Sequence, residues 1–177
     1  MRKALQMLGV LDDHDVEWLL SHGHTHTVSS DSTLIREGEP IDALYIILEG
    51  KMSVRRVSVS DREIASLFPG EIVGEISFVD SRPPVASVVA SQNTRVLAIP
   101  ALLIHDKLDR DPGFAARFYR ALAGFLADRL RTTTAHLGYG KWDQDTDELD
   151  DTMLDNMSVA ATRFDYLIKR LGMNAQA

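Results

Sequence analysis

The hydrophobic and polar positions along this chain change their period twice. In the opening segment, Leu8-Gly-Val-Leu-Asp-Asp-His-Asp-Val-Glu-Trp-Leu-Leu20, residues Val16, Leu19 and Leu20 fall at helical spacing. Asp12 stands before them as an N-cap, so the segment predicts a short amphipathic helix. From Thr25 to Pro100 the apolar residues come in short or alternating runs: Thr33 to Ile35, Leu44 to Leu48, Met52 to Val59, Ile64 to Phe68, Val85 to Ala90 and Arg95 to Ile99. Strands at that spacing build a sandwich, roll or barrel. Gly38-Glu-Pro40, Glu49-Gly50, Ser60-Asp61, Pro69-Gly70 and Pro83-Pro84 supply the turns between them.

After Pro100 the helical period returns. Phe114, Phe118, Leu122, Phe125, Leu126 and Leu130 fall at i, i+3, i+4 spacing, with Arg117, Arg120, Asp128 and Arg129 between them. This predicts one long helix over residues 112–137, with Pro112 allowed in its first turn. Asp143, Asp145, Asp147, Glu148, Asp150, Asp151 and Asp155 then follow without a base among them, and residues 138–152 read as an acidic linker. Met153, Leu154, Met157, Ala160, Ala161, Phe164, Leu167, Ile168 and Leu171 predict a second amphipathic helix over residues 153–172, ending at Gly172. The expected fold is mainly β with α, an antiparallel jelly-roll-like β-roll flanked by an N-terminal helix and C-terminal helices. Residues 1–137 make its one domain, the long helix included.

Composition narrows the function classes. A chain of 177 residues that is 45% hydrophobic and 25% charged buries one full core and little more. Its longest apolar runs, such as Ala43 to Leu48, are far shorter than the ~20 residues that cross a bilayer. Met-Arg-Lys-Ala-Leu-Gln-Met at the start has no apolar stretch behind its two cations, so a cytoplasmic setting is the default expectation. The absence of cysteine excludes disulfides, thiolate catalysis and iron–sulfur clusters. A net charge of −7 argues against a nucleic-acid backbone as partner, and Arg55, Arg56 and Arg62 read as a solvated hairpin.

The chemistry concentrates in Leu67-Phe-Pro-Gly-Glu-Ile-Val-Gly-Glu-Ile-Ser-Phe-Val-Asp-Ser-Arg-Pro-Pro-Val-Ala-Ser-Val-Val-Ala90, which reads as a strand end, a glycine turn, a short helical piece and a return strand. Free amides over Glu75 to Ser77 at a helix start would favour an anion. Gly74 lets the main chain come close. Gly74-Glu75-Ile76-Ser77 and Pro83-Pro84-Val85-Ala86-Ser87-Val88 resemble the phosphate-binding cassette of the cyclic-nucleotide-binding domain family. Ile35-Arg-Glu-Gly38, Leu44-Tyr-Ile-Ile-Leu-Glu-Gly50 and Leu67-Phe-Pro-Gly70 carry the resemblance through roughly residues 8–137.

The resemblance implies a ligand site formed by Gly74, Glu75, Ile76, Ser77, Pro84, Val85, Ala86 and Ser87, with cAMP or cGMP as ligand and no resident cofactor or metal. It also implies that Glu75 accepts a hydrogen bond from the ribose 2′-hydroxyl and that an arginine pairs with the phosphate. Pro84 stands at that arginine's position, with neither a cation nor an N–H. Losing one charge-assisted hydrogen bond weakens anion binding roughly 10- to 150-fold.

His22, His24 and His26 offer a different reading. On one strand they would put three imidazoles on one face, as a cupin-like metalloenzyme requires, with Asp31 as an approximate carboxylate. The long helix resembles the dimerisation helix of bacterial regulators built on this domain, which implies a homodimer through residues 112–137. Residues 138–177 hold Lys141, Arg163, Lys169 and Arg170 against eight acids, a composition too acidic to read DNA. No triad, phosphate-cradling glycine loop or deaminase motif appears. The expectation is a non-enzymatic regulatory module, degenerate at its phosphate site, acting through an unidentified protein partner. The alternatives are a genuine cAMP or cGMP receptor and the cupin-like enzyme.

Overall fold

Asp12 divides the N-terminal helical pattern in two. In the computed structural model, which describes residues 5–56, 62–136 and 151–174, α1 (Leu5–Val10) and α2 (Asp13–His22) flank it. Asp12 accepts from the Asp15 amide and Asp15 accepts from the Asp12 amide, each at 2.9 Å, a reciprocal capping box.

Eight strands follow among the described residues: β1 (His24–Val28), β2 (Thr33–Ile35), β3 (Ala43–Glu49), β4 (Met52–Arg56), β5 (Arg62–Leu67), β6 (Ile72–Val73), β7 (Ser87–Ala90) and β8 (Thr94–Pro100). They form two four-stranded antiparallel sheets, ordered β1-β8-β3-β6 and β2-β7-β4-β5. This is the expected roll. Strand β3 is buried on both faces: Leu44, Ile46 and Leu48 pack with the helices, while Ile47 packs inside the roll with Met52, Val73, Val88 and Val96. Two-sided burial explains why β3 reads as a continuous apolar run rather than an alternating one.

Between β8 and the long helix lies α4 (Ala101–Arg110), a helix that the spacing of apolar residues does not mark. The long helix, α5 (Pro112–His136), starts at Pro112 as expected, and Asp111 caps it by accepting from the Phe114 amide at 2.9 Å. Phe114, Phe118, Ala121, Leu122 and Phe125 are buried in the core shared with α1, the sheet and α6 (Asp151–Asn174). The apolar face on which a dimer was expected is therefore covered within the chain. Residues 138–150 of the expected linker lie outside the described residues.

Ala160, Leu167 and Leu171 bury α6 in that same core. The helix does not stop at Gly172. It continues to Asn174, and a Cβ at Gly172 would meet only open space, so the glycine costs flexibility without forcing a cap. Arg163 holds α6 to the N-terminal helices by donating to the Leu8 and Leu11 carbonyls and, at 2.8 Å, to Asp13 Oδ1. Its guanidinium thus satisfies carbonyls at the end of α1, which has no following turn to do so. Among the described residues, no helix is long and apolar enough to cross a membrane.

Candidate functional site

The cassette begins where β6 runs out. Gly74 follows it with φ +92°, and α3 (Glu75–Asp80) starts at the next residue. A Cβ on Gly74 would lie 2.8 Å from Ile41 Cδ1 and 3.3 Å from the Ala43 carbonyl, so both the backbone and the space call for glycine. Ser81, at φ +57°, ends α3, and residues 82–86 lead irregularly into β7. The strand starts at Ser87 instead of Val85.

The two halves of the cassette meet on the β2–β3 connection. Gly74 packs near Ile35 and Ile41. The Gly38 amide donates to the Pro84 carbonyl at 2.8 Å, and the Glu37 amide to Ser87 Oγ at 2.9 Å. The structure thus brings Gly74, Pro84 and Ser87 against residues 35–43. Glu75 and Ser87 are buried, Ser77, Pro84 and Ala86 are partly covered, and Ile76 and Val85 are exposed.

Glu75 is only 2% exposed, and its carboxylate is not left unpartnered. Arg129 of α5 donates from Nη1 to Glu75 Oε1, and its guanidinium lies 5.6 Å from the centroid of the Phe125 ring. One turn further along α3, Phe78 stacks on His105 of α4 at 4.6 Å and meets Phe118 of α5 at 5.8 Å. The short helix is therefore fixed to the long one by an ion pair and by an aromatic contact. Arg82 does not move into the place of the missing arginine: it is exposed, and its amide donates to Asp80 Oδ1 at 3.0 Å.

In the sequence Arg129 falls among the polar positions of the helix. Its spacing held a signal nonetheless, because Phe118, Leu122, Phe125 and Arg129 follow i, i+4, i+7, i+11 along one stripe. A charge on a core-facing stripe requires a partner. A second such residue is Arg117, whose Nε and Nη2 grip Asp15 at 2.6 and 2.9 Å and join α5 to α2. Burial works against ionisation of Asp15, but the Arg117 hydrogen bond, the Asp12 amide and the Arg117 charge together hold its carboxyl below the usual range.

The three histidines do not share a strand face. His22 ends α2, where it stacks on Trp18 at 4.4 Å with Nδ1 2.9 Å from the Trp18 carbonyl oxygen. His24 and His26 lie on β1 with ring centroids 6.0 Å apart. Among the described residues, no group of three or more His, Asp or Glu side chains could hold a metal ion, so the cupin-like reading has no support.

Comparison with known proteins agrees with this geometry. Residues 25–111 match the family model described as the cyclic nucleotide-binding domain. The chain is 30% identical over 129 residues to the cAMP-activated global transcriptional regulator CRP of Salmonella typhimurium, covering 71% of this chain and 60% of that protein. Among solved structures, the N-terminal domain of a transcriptional regulator from Streptomyces coelicolor is 32% identical with a TM-score of 0.60, covering 73% of this chain and 91% of that one. A cyclic nucleotide-binding domain from Methylobacillus flagellatus superposes with a TM-score of 0.69 at 24% identity, over 80% of this chain and 85% of that one. The roll, the glycine-initiated cassette helix and these matches place the chain in the cyclic nucleotide-binding domain family.

Proposed function

We propose that this chain is a non-enzymatic regulatory module whose phosphate site lacks a cation of its own and which works through contacts with a partner protein and with a second copy of itself. One observation carries the reading: the cassette keeps its backbone, but Pro84 offers no charge and the buried Glu75 is paired with Arg129 of α5. A ligand entering there meets a site already tied to the long helix. Displacing α3 pulls on α5, and the position of α5 is what a partner reads. The net charge of −7 supports a protein partner over DNA, and a cytoplasmic setting fits the same reading.

The self-contact uses what α5 leaves uncovered. Tyr119 is 47% and Leu130 68% exposed, while the Phe118, Leu122 and Phe125 face is spent inside the chain. A homodimer along α5 therefore runs through the outer residues of the helix.

Calorimetric titration with cAMP and cGMP tests the proposal. Affinity no tighter than about micromolar is expected. Submicromolar binding overturns the degenerate site and favours a genuine receptor, a second reading that draws support from 30% identity to a protein named as cAMP-activated.

A further inference from the structure

The geometry points to Arg129 as the cation that an anionic ligand meets in this cassette. The phosphodiester of a cyclic nucleotide pairs with a guanidinium delivered by α5, in place of one delivered at position 84. This rests on the cassette being the ligand site, as proposed above, and adds which residue neutralises the ligand's charge.

Arg129 is fixed where such a cation is needed. Its Nη1 donates to Glu75, the first residue of α3 after Gly74, and the Phe125 ring lies under the guanidinium at 5.6 Å. A guanidinium carries five N–H donors, so the bond to Glu75 leaves others to offer. The side chain is 29% exposed while Glu75 is 2% exposed, so solvent, and hence a ligand, reaches the pair from the arginine side. Charge gives the same answer. A lone buried carboxylate repels a phosphate, whereas the Glu75–Arg129 pair is neutral overall and presents its positive member outward.

The nearby cations serve less well. Arg82 is exposed beyond the end of α3, and Arg36 lies in an exposed pair with Glu39 at 3.4 Å. Among the described residues, the partner of the buried carboxylate is Arg129 of α5. Because the cation belongs to α5, ligand binding and the position of α5 are coupled, and each must bias the other by the same factor.

The test compares cAMP binding, by calorimetry or nuclear magnetic resonance titration, to the full chain carrying Arg129→Gln, Arg129→Lys, or Glu75→Gln with Arg129→Gln. The double variant avoids an unpaired buried carboxylate, so it keeps the test open even if Arg129→Gln alone folds poorly. Both Gln variants are expected to bind about tenfold or more weakly than the unmodified protein, with Lys recovering part of the loss. Tighter binding by Arg129→Gln would make Arg129 a competitor and overturn the assignment. Equal affinity of the double variant and the unmodified protein, or Lys as weak as Gln, overturns it too. If the unmodified protein binds no cyclic nucleotide at millimolar concentration, this inference falls while the protein-contact reading stands. If it binds below micromolar and loses that with Gln, the inference stands and the degenerate-site reading falls.

Discussion

Arg129 of α5 and Glu75 of α3, 54 residues apart in sequence, form a partly buried ion pair that ties the cassette to the long helix. Removing one member of such a pair leaves the other's charge in a site with little water. Arg129→Ala is expected to cost about 3 kcal/mol, the low end for broken buried pairs because the arginine is 29% exposed. Adding Glu75→Gln should return most of that loss. Urea denaturation of the two single variants and the double gives the coupling energy, and additive losses would show that the pair contributes nothing as a unit.

Gly74→Ala should damage the cassette locally. At φ +92° an alanine is strained, and its Cβ would press on Ile41 Cδ1 at 2.8 Å. Ile41 can yield at its flexible end, but the backbone cannot, which sets the cost at roughly 2 kcal/mol. The measurement is the unfolding midpoint, and a variant as stable as the parent would mean that the turn has relaxed to negative φ.

Much of this architecture was legible in the sequence, for reasons that differ by element. β2 matches the expected Thr33 to Ile35 residue for residue, since Asp31-Ser32 and Gly38-Glu-Pro40 bracket it with turn residues. By contrast, α4 was hidden: Ile104 and Leu108 are buried at i, i+4, but Leu102 and Leu103 are exposed, so the apolar residues do not mark one face. β6 is too short for any period to show. The cassette was found from its glycine and its glutamate, both local signals. The Arg129 contact depends on how α5 packs, which the sequence shows only as a charge on an otherwise apolar stripe.

Acid should weaken the fold in two stages. The ring of His26 is held below the ordinary histidine value, first by burial and then by the charge of His24. With the folded value depressed, the unfolded chain takes up the proton first, so stability is lost as pH falls below about 6.5. Asp15, held low on balance by Arg117, contributes stability in full above about pH 4 and loses it as pH drops through the folded value. Urea midpoints measured across pH should be flat above about pH 7 and fall below it. His26→Gln should flatten the upper stage and Asp15→Asn the lower. An unchanged profile in either variant would exclude that group as the cause.

A dimer along α5 should depend on its outer residues. Leu130, 68% exposed, packs on nothing that the fold requires, so Leu130→Glu should leave the unfolding midpoint nearly unchanged while placing a charge in the contact. Sedimentation at micromolar concentration should report a dimer for the parent and a monomer for the variant. A parent that is monomeric at every concentration removes the self-contact from the proposed function.

Pro84→Arg probes the cassette directly. Position 84 uses its carbonyl, which accepts from the Gly38 amide at 2.8 Å, and that bond does not depend on the side chain. The residue is partly covered, and its chain neighbours Pro83 and Val85 are exposed, so a longer side chain has room to leave the surface. Arginine there would add a cation to the second half of the cassette. Cyclic AMP affinity should rise about tenfold or more, the equivalent of one charge-assisted hydrogen bond. With Arg129 already serving the phosphate, the two guanidinium groups would act together, and the gain should shrink when Arg129→Gln is added. Glu75→Ala in the Pro84→Arg background should lower affinity again, because it frees Arg129 from its anchor. Calorimetry on the folded variants decides it. A Pro84→Arg protein that unfolds at the parent's midpoint yet gains no affinity would show that the pocket is closed to nucleotides, leaving the module to act through protein contacts alone.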